Sequence, residues 1–416
     1  IFFPEKMFRS FVTRFNTSRQ IFLTSNQPTI RLFSNINKSL FSPVVRHFSL
    51  IAVDELRKAV QFAEKGKEIL FPDLLKNSEI LSSPAENSYV PRPKLEEKIK
   101  EALTSPAGEY CVVYGNKGVG KSEVVTHAAI GQKGVVRIDV ISAHDKNDLV
   151  KQLLEKLKVK GELRVDELVE EMKKVCDINF GGHINKIYPT IIFDVECGGV
   201  AGYELGIDAV RSLSKALVGV CRCIIILSEA NDVRHFGNDP FRERFIFVDE
   251  FTNEEAVNYL VKIGSTLGKT SQFTKEEMEY VFTNIGTNPA LLKKLAISVP
   301  NRMTLQEFVD MMLANATEDL AAFPLKRILQ ALKDPQYSDG VPPRYFNNLE
   351  EEGVDLTNHR AVGKAMKDNP NPIIYRQDLK KYQLLSTAHK TALRTYVPIN
   401  PIPIPNAPVV VAPNNP

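Results

Sequence analysis

Between residues 94 and 248 the chain alternates two patterns. Runs that are apolar at almost every position, 110–114, 134–140, 188–194, 223–227 and 244–248, are separated by longer stretches whose apolar residues recur every three to four positions. A strand buried on both faces reads as a continuous hydrophobic run, whereas a helix covering it needs one apolar stripe. Leu149, Val150, Leu153, Leu154 and Leu157 make such a stripe in the helix predicted over 145–158. Further helices are expected over 94–103, 121–130 and 165–176. Five strands with intervening helices predict an α/β fold, a mostly parallel sheet sandwiched by helices.

The pattern changes after residue 250. Periodicity predicts helices over 253–267, 275–284 and, opened by Pro289, 290–299, which together form a helical lid over 251–316. A small domain follows over 317–397. It begins on the stripe Leu325, Ile328, Leu329 and Leu332 and continues with short helices around 343–351 and 358–367. Two strands, 373–376 and 382–385, then precede a last helix, 387–396. Helices followed by a hairpin predict a winged-helix-like unit. Residues 398–416, with their Pro-Ile repeats, read as a mobile polyproline-type tail. Upstream of the core (89–250), residues 49–88 read as a helical segment, 54–70, and a linker rich in Ser, Pro and Asn.

The first 48 residues have a different composition. From Met7 to Val53 there is no Asp or Glu, while Arg9, Arg14, Arg19, Arg31, Lys38 and Arg46 stand among many Ser, Asn and Phe. Phe8, Phe11, Val12 and Phe15 fall on one helical face. A basic, amphipathic, acid-free segment is expected to be a mitochondrial transit peptide with Met7 as its start, which places the protein in the matrix. Arg46-His-Phe-Ser49 resembles a presequence cleavage site, with the mature chain starting near Phe48 to Leu50. The alternative is a disordered basic arm.

Charge and cysteine content narrow the classes. The net charge of +3 over 416 residues does not argue for a globally basic nucleic-acid binder, and the five cysteines include no C-x-x-C pair. No apolar stretch approaches the length of a bilayer span. A local basic surface is expected from Lys364, Lys367, Arg376, Lys380, Lys381 and Lys390. It reads either as a nucleic-acid contact or as solvated charge or an autoinhibitory contact.

The chemistry lies in residues 115–122, Gly-Asn-Lys-Gly-Val-Gly-Lys-Ser, directly after the strand at 110–114. This is a complete G-x-x-x-x-G-K-[ST] phosphate loop. Gly115, Gly118 and Gly120 let the backbone curl around phosphate oxygens, with Asn116, Lys117 and Val119 completing the turn. Lys121 reaches the β/γ-phosphates and Ser122 ligates Mg²⁺, while the following helix presents its positive end to the anion. The expected cofactors are therefore ATP or ADP with Mg²⁺. Asp194, ending an apolar strand, is the candidate carboxylate for the metal, and Glu196 the candidate base. Residues two apart in an extended strand share a face, so both can address one nucleotide. Ser228, ending the next strand, is a candidate γ-phosphate sensor. Arg234, Arg242 and Arg244 are candidates for an arginine finger, with surface solvation as the alternative. No N-K-x-D base-reading element follows, which argues against a small GTPase.

These motifs, with Val90-Pro-Arg-Pro93 ahead of the loop strand, Phe247-Val-Asp-Glu-Phe-Thr252 and Ile285-Gly-Thr-Asn-Pro-Ala290, resemble the signal-transduction ATPases with numerous domains. More narrowly they are similar to the archaeal-type ATPase branch near the AAA+ class, and fungal and oomycete Crinkler-type proteins carry a similar NTPase segment. The resemblance covers roughly 89–300. It implies that Arg92 lies near the nucleotide base, that Pro289 belongs to the lid's nucleotide-facing element, and that a winged helix follows the lid. Two departures stand out: Val195 separates Asp194 from Glu196, and no arginine follows Ser228. The implied function is an Mg²⁺-dependent ATP-binding NTPase acting as a nucleotide-controlled switch. The alternative is a non-hydrolysing nucleotide-binding scaffold that recruits a protein or nucleic-acid partner or self-associates. A Crinkler-like effector would need a further nuclease or kinase domain, and no such motif follows residue 300.

Overall fold

The computed structural model describes residues 74–75, 78–80 and 88–396, apart from 142, 160, 179–187, 197–202, 238, 240, 267–272, 300–302, 347–348 and 366–371. The chain divides into units 1–65 and 66–416, and every described residue lies in the second. The expected transit peptide, the helical segment at 54–70 and the Pro-rich tail fall outside the described residues.

Five six-residue strands form one parallel sheet: β1 (Tyr110–Gly115), β2 (Val135–Val140), β3 (Thr190–Val195), β4 (Arg222–Leu227) and β5 (Glu243–Val248), in the order β2-β3-β4-β1-β5. Alternation along each strand sends successive side chains to opposite faces. Tyr110, Val112, Ile191, Phe193, Ile225 and Leu227 meet three helices, α3 (Lys146–Lys156), α4 (Val165–Ile178) and α5 (Tyr203–Leu217). Cys111, Val113, Ile192, Ile224, Ile226 and Val248 meet α1 (Pro93–Thr104) and α2 (Lys121–Ala129). Both faces are covered, which explains why the strands read as unbroken hydrophobic runs. Each fully buried aliphatic side chain in these layers contributes about 1.5–3 kcal/mol. The sheet is the scaffold that fixes the loop between β1 and α2.

The expected lid helices are present as α6 (Asn253–Thr266), α7 (Lys275–Asn284) and α8 (Pro289–Ser298). Thr274 and Glu277 close a capping box on α7, and Asn288 caps α8 with Pro289 in its first turn. The predicted boundary at 316/317 needs correction. It falls inside one helix, α9 (Leu305–Ala322), whose Phe308, Val309, Ala316 and Leu320 are buried. These residues share a single core with Leu260, Phe282 and Leu292 of the lid and with Ile328, Tyr382 and Leu393 beyond it. Lid and C-terminal region are therefore one packed body.

Beyond α9 come α10 (Lys326–Lys333), a two-stranded ribbon of β6 (Glu350–Glu351) and β7 (Val354–Asp355), α11 (His359–Ala365), a hairpin of β8 (Ile373–Arg376) and β9 (Lys381–Leu384), and α12 (Thr387–Thr395). The hairpin lies against the sheet. Ile374 enters the sheet's own core, and the Arg376 guanidinium sits 3.6 Å above the Phe247 ring while pairing with Asp378 at 2.7 Å. The Tyr114 hydroxyl donates to Asp378 at 2.8 Å and accepts from the backbone N–H of Gln377 at 3.0 Å. Arg376 is thus spent on the sheet core and leaves the basic surface that the sequence suggested, whereas Lys380, hydrogen-bonded to Gln377, stays exposed.

Glu250, just past β5, ties three parts together. Its carboxylate accepts from Thr287 N–H (3.1 Å) in the lid and from the Thr387 hydroxyl (3.3 Å) at the start of α12, while its other oxygen is buried without a partner. Gly286, at φ +88°, makes room: a Cβ there would lie 2.4 Å from the same carboxylate. Burial raises the Glu250 carboxyl above its ordinary range. As pH rises through that interval the unfolded chain ionises first and the native state holds more protons, so native stability falls. Glu250→Gln should flatten this fall. The melting temperature of the variant is expected to vary less than that of the wild type between pH 4.5 and 7.5, as measured by thermal melts in low salt.

Candidate functional site

The loop between β1 and α2 opens into a cleft of about 560 Å³ at the carboxyl ends of the strands. Ligands of open parallel sheets are held at this edge. Two glycines have separate steric reasons. A Cβ at Gly115 would fall 2.2 Å from the Val248 carbonyl of β5, and one at Gly118 would fall 2.5 Å from Ala290 of the lid. Gly120, at φ +87°, faces open space and leaves the cradle clear just before α2 begins.

Lys121 is buried, and its ammonium donates to the carbonyls of Gly115 (2.9 Å), Asn116 (2.8 Å) and Ser228 (2.8 Å). Burial pulls its pKa down to about 8 against the opposing pull of Asp194, Asp232 and Glu229. The Ser122 hydroxyl lies beside Asp194 and lowers its carboxyl, while burial, the larger effect, raises it. Ser122 and Asp194 thus meet side by side with oxygen donors suited to Mg²⁺, a fit seen in their mutual contact. Among the described residues no cluster of three or more His, Cys, Asp or Glu forms a separate metal cage. Glu196 is exposed and lines the same cleft, while Val195 between the two acids is buried on the other face, as strand alternation requires.

The remaining expected residues divide. Lys117, Gly118, Val119, Gly120, Ser228 and Pro289 line the cleft. At Ser228 the backbone carbonyl is what meets Lys121. Arg92 lines it as well, but its guanidinium is anchored. It donates to the carbonyls of Asp249 (3.1 Å) and Glu250 (3.0 Å), pairs with Glu255, and lies 5.3 Å from the centre of the Phe251 ring. Gly115 and Asn116 do not line the cleft. The Asn116 amide instead donates to the Leu385 carbonyl beside α12. The three finger candidates lie elsewhere: Arg234 pairs with Glu204, Arg242 with Asp239, and Arg244 with Glu101. Arg242 and Arg244 sit at the start of β5, the end of the strand opposite the loop.

Sequence reasoning missed several members of the site. Tyr89, Phe251 and Tyr259 line an apolar end of the cleft suited to a flat ring, with the Tyr89 ring stacked on His127 at 3.5 Å. Lys293 on α8 brings a cation from the lid. Arg137 on β2 reaches Asp194 at 2.7 Å. A basic residue inside the strand 135–140, whose other positions are buried and apolar except the exposed Asp139, was the one signal that could have announced it.

The lid also touches the loop. The Asn288 amide donates to the Lys117 carbonyl at 3.0 Å, and Ala290 N–H to the Gly118 carbonyl at 3.2 Å. The same eight residues therefore contact the lid on one side and the C-terminal hairpin region on the other.

No family model and no curated protein matches the sequence. Among solved structures the chain is similar to the Walker-type ATPase PABY2304 of Pyrococcus abyssi, at 14% identity and TM-score 0.46 over 77% of this chain and 99% of that one. It is similar also to PH0952 from Pyrococcus horikoshii, a signal-transduction ATPase with a tetratricopeptide repeat sensor (15% identity, TM-score 0.32, 76% of this chain and 45% of that one). Domain III of the Thermotoga maritima replication initiation protein DnaA is a further similar structure, at 14% identity and TM-score 0.33 over 55% of this chain and 96% of that one. With its parallel strand order and the phosphate loop directly after β1, the chain has a P-loop NTPase-type α/β fold.

Proposed function

We propose that the chain is an ATP-binding, Mg²⁺-dependent P-loop NTPase that works as a nucleotide-controlled switch. The observation that carries this reading is the position of the loop 115–122. Its inner side, with Lys121 and Ser122, faces the cleft opposite Asp194 of β3, and its backbone and Asn116 are bonded to Asn288 and Ala290 of the lid and to Leu385 beside α12. Ser122 and Asp194 are the residues that would hold Mg²⁺, which neutralises charge on the phosphate oxygens when bound. Tyr89, Phe251 and Tyr259 sequester the base. A change in loop geometry on gain or loss of phosphate has a direct route, through the Asn116 hydrogen bond, to the body formed by lid and C-terminal region.

Hydrogen exchange on the chain lacking residues 1–48, with and without ADP, tests the coupling. Amides of β8, β9 and α12 are expected to change protection on binding, and Asn116→Ala should abolish that remote change while shifting ADP affinity less than about threefold. Protection changes confined to residues lining the cleft would reduce the protein to a nucleotide binder without a switch. Localisation in the mitochondrial matrix rests on the acid-free, basic segment 7–53. A fluorescent fusion to that segment should enter mitochondria, and a diffuse cytosolic signal would count against it.

A further inference from the structure

We infer that Arg137 is a built-in cation that competes with the divalent ion for Asp194, so that the site binds nucleotide readily without metal and takes up the metal late. The inference rests on the nucleotide-binding reading above. Its starting point is a register. Arg137 pairs with Ile192 and Asp139 with Asp194 across β2 and β3, and Ile192 points toward α1 and α2. With two-residue alternation, Arg137, Asp194 and Glu196 fall on the same face, the one that carries the phosphate loop and α2. All three line the cleft.

The guanidinium is held there on three sides. It donates to the Thr126 hydroxyl of α2 at 2.8 Å, to Asp139 at 3.0 Å and to Asp194 at 2.7 Å. Thr126 and Asp194 are both buried. Asp194 is therefore shared between two partners of different kinds, the Ser122 hydroxyl on the loop side and a fixed positive charge on the β2 side. A carboxylate with an adjacent arginine is poorer at holding a second cation, because the ion must share or displace a charge-assisted hydrogen bond. The polyphosphate, by contrast, gains from a positive charge at the cleft wall. One residue thus has opposite effects on the two components of an Mg²⁺–nucleotide complex.

The test uses the full chain, ADP, and Mn²⁺ as the metal probe, with free Mn²⁺ read by electron paramagnetic resonance. Arg137→Gln should tighten Mn²⁺ binding in the ADP complex about tenfold and weaken ADP binding in EDTA several-fold. Arg137→Lys, which keeps the charge, should stay near the wild type in both. In an Asp194→Asn background, Arg137→Gln should no longer tighten Mn²⁺. A merely structural role would weaken both ligands together, and Mn²⁺ affinity that is unchanged or lower in Arg137→Gln overturns the inference. If that variant does not fold, the wild type decides: its ADP affinity should differ less than about tenfold between EDTA and millimolar Mg²⁺, and a larger gap overturns the inference. A wild type that binds no ADP in either buffer removes the nucleotide-binding reading itself, an outcome distinct from strong metal dependence.

Discussion

Lys121→Ala is expected to weaken binding of ADP or ATP at least about a hundredfold, with the protein still folded. The ammonium is already in place, buried and bonded to three carbonyls, two from the loop itself and one from Ser228 at the end of β4. Little ordering is needed when phosphate arrives, because the side chain exchanges carbonyl partners for anionic oxygens without leaving its seat. Hydrogen bonds to a charged group contribute about 1.5–3 kcal/mol each, and two of them account for a loss of about two to four powers of ten. The pKa near 8 adds a second readout. Phosphate favours the charged ammonium, so binding takes up a proton where the free protein has lost it, and affinity should decline as pH rises above about 8. In Lys121→Ala that decline should vanish. Isothermal titration across pH 7–9.5 checks both, and an alanine variant with wild-type affinity would sink the assignment of the cleft.

The sheet and the loop were legible in the sequence for one shared reason. Strands buried on both faces are mostly apolar, so their composition marks them, and two of the loop's glycines are fixed by close contacts, Gly115 against Val248 and Gly118 against Ala290, with Gly120 held by its positive φ. What was not legible depends on distant partners. The apolar residues of α9 suit a lid core or a C-terminal core equally well, and only packing reveals that there is one core. Asn116 stands at a variable position of the motif, where pattern alone does not tell whether a side chain faces phosphate or the Leu385 carbonyl 269 residues away. Arg376 looked like part of a basic surface because nothing local announces Phe247 as its seat. Arg137 was visible as an anomaly in β2, but its meaning required the register with β3.

Glu196→Gln separates a slow hydrolase from a nucleotide-holding switch. In the proposed hydrolase, Glu196 orients and deprotonates the attacking water. General-base catalysis contributes about 10²–10⁴-fold, so single-turnover phosphate release from ATP should fall at least about a hundredfold in the variant. Affinity for ATP should move less than about threefold, because Glu196 is exposed at the cleft wall and holds no part of the loop. Asp194→Asn should behave differently, weakening metal-dependent binding as well as turnover, since Asp194 is the carboxylate beside Ser122 in the cleft. Val195 is what makes Glu196 competent despite the one-residue spacing. Because it is buried on the opposite face, Asp194 and Glu196 both project to the nucleotide side. If the wild type and Glu196→Gln release phosphate at the same rate, hydrolysis does not pass through this residue. The protein would then work by holding and exchanging nucleotide, with the loop's bonds to Asn288 and Leu385 as the output.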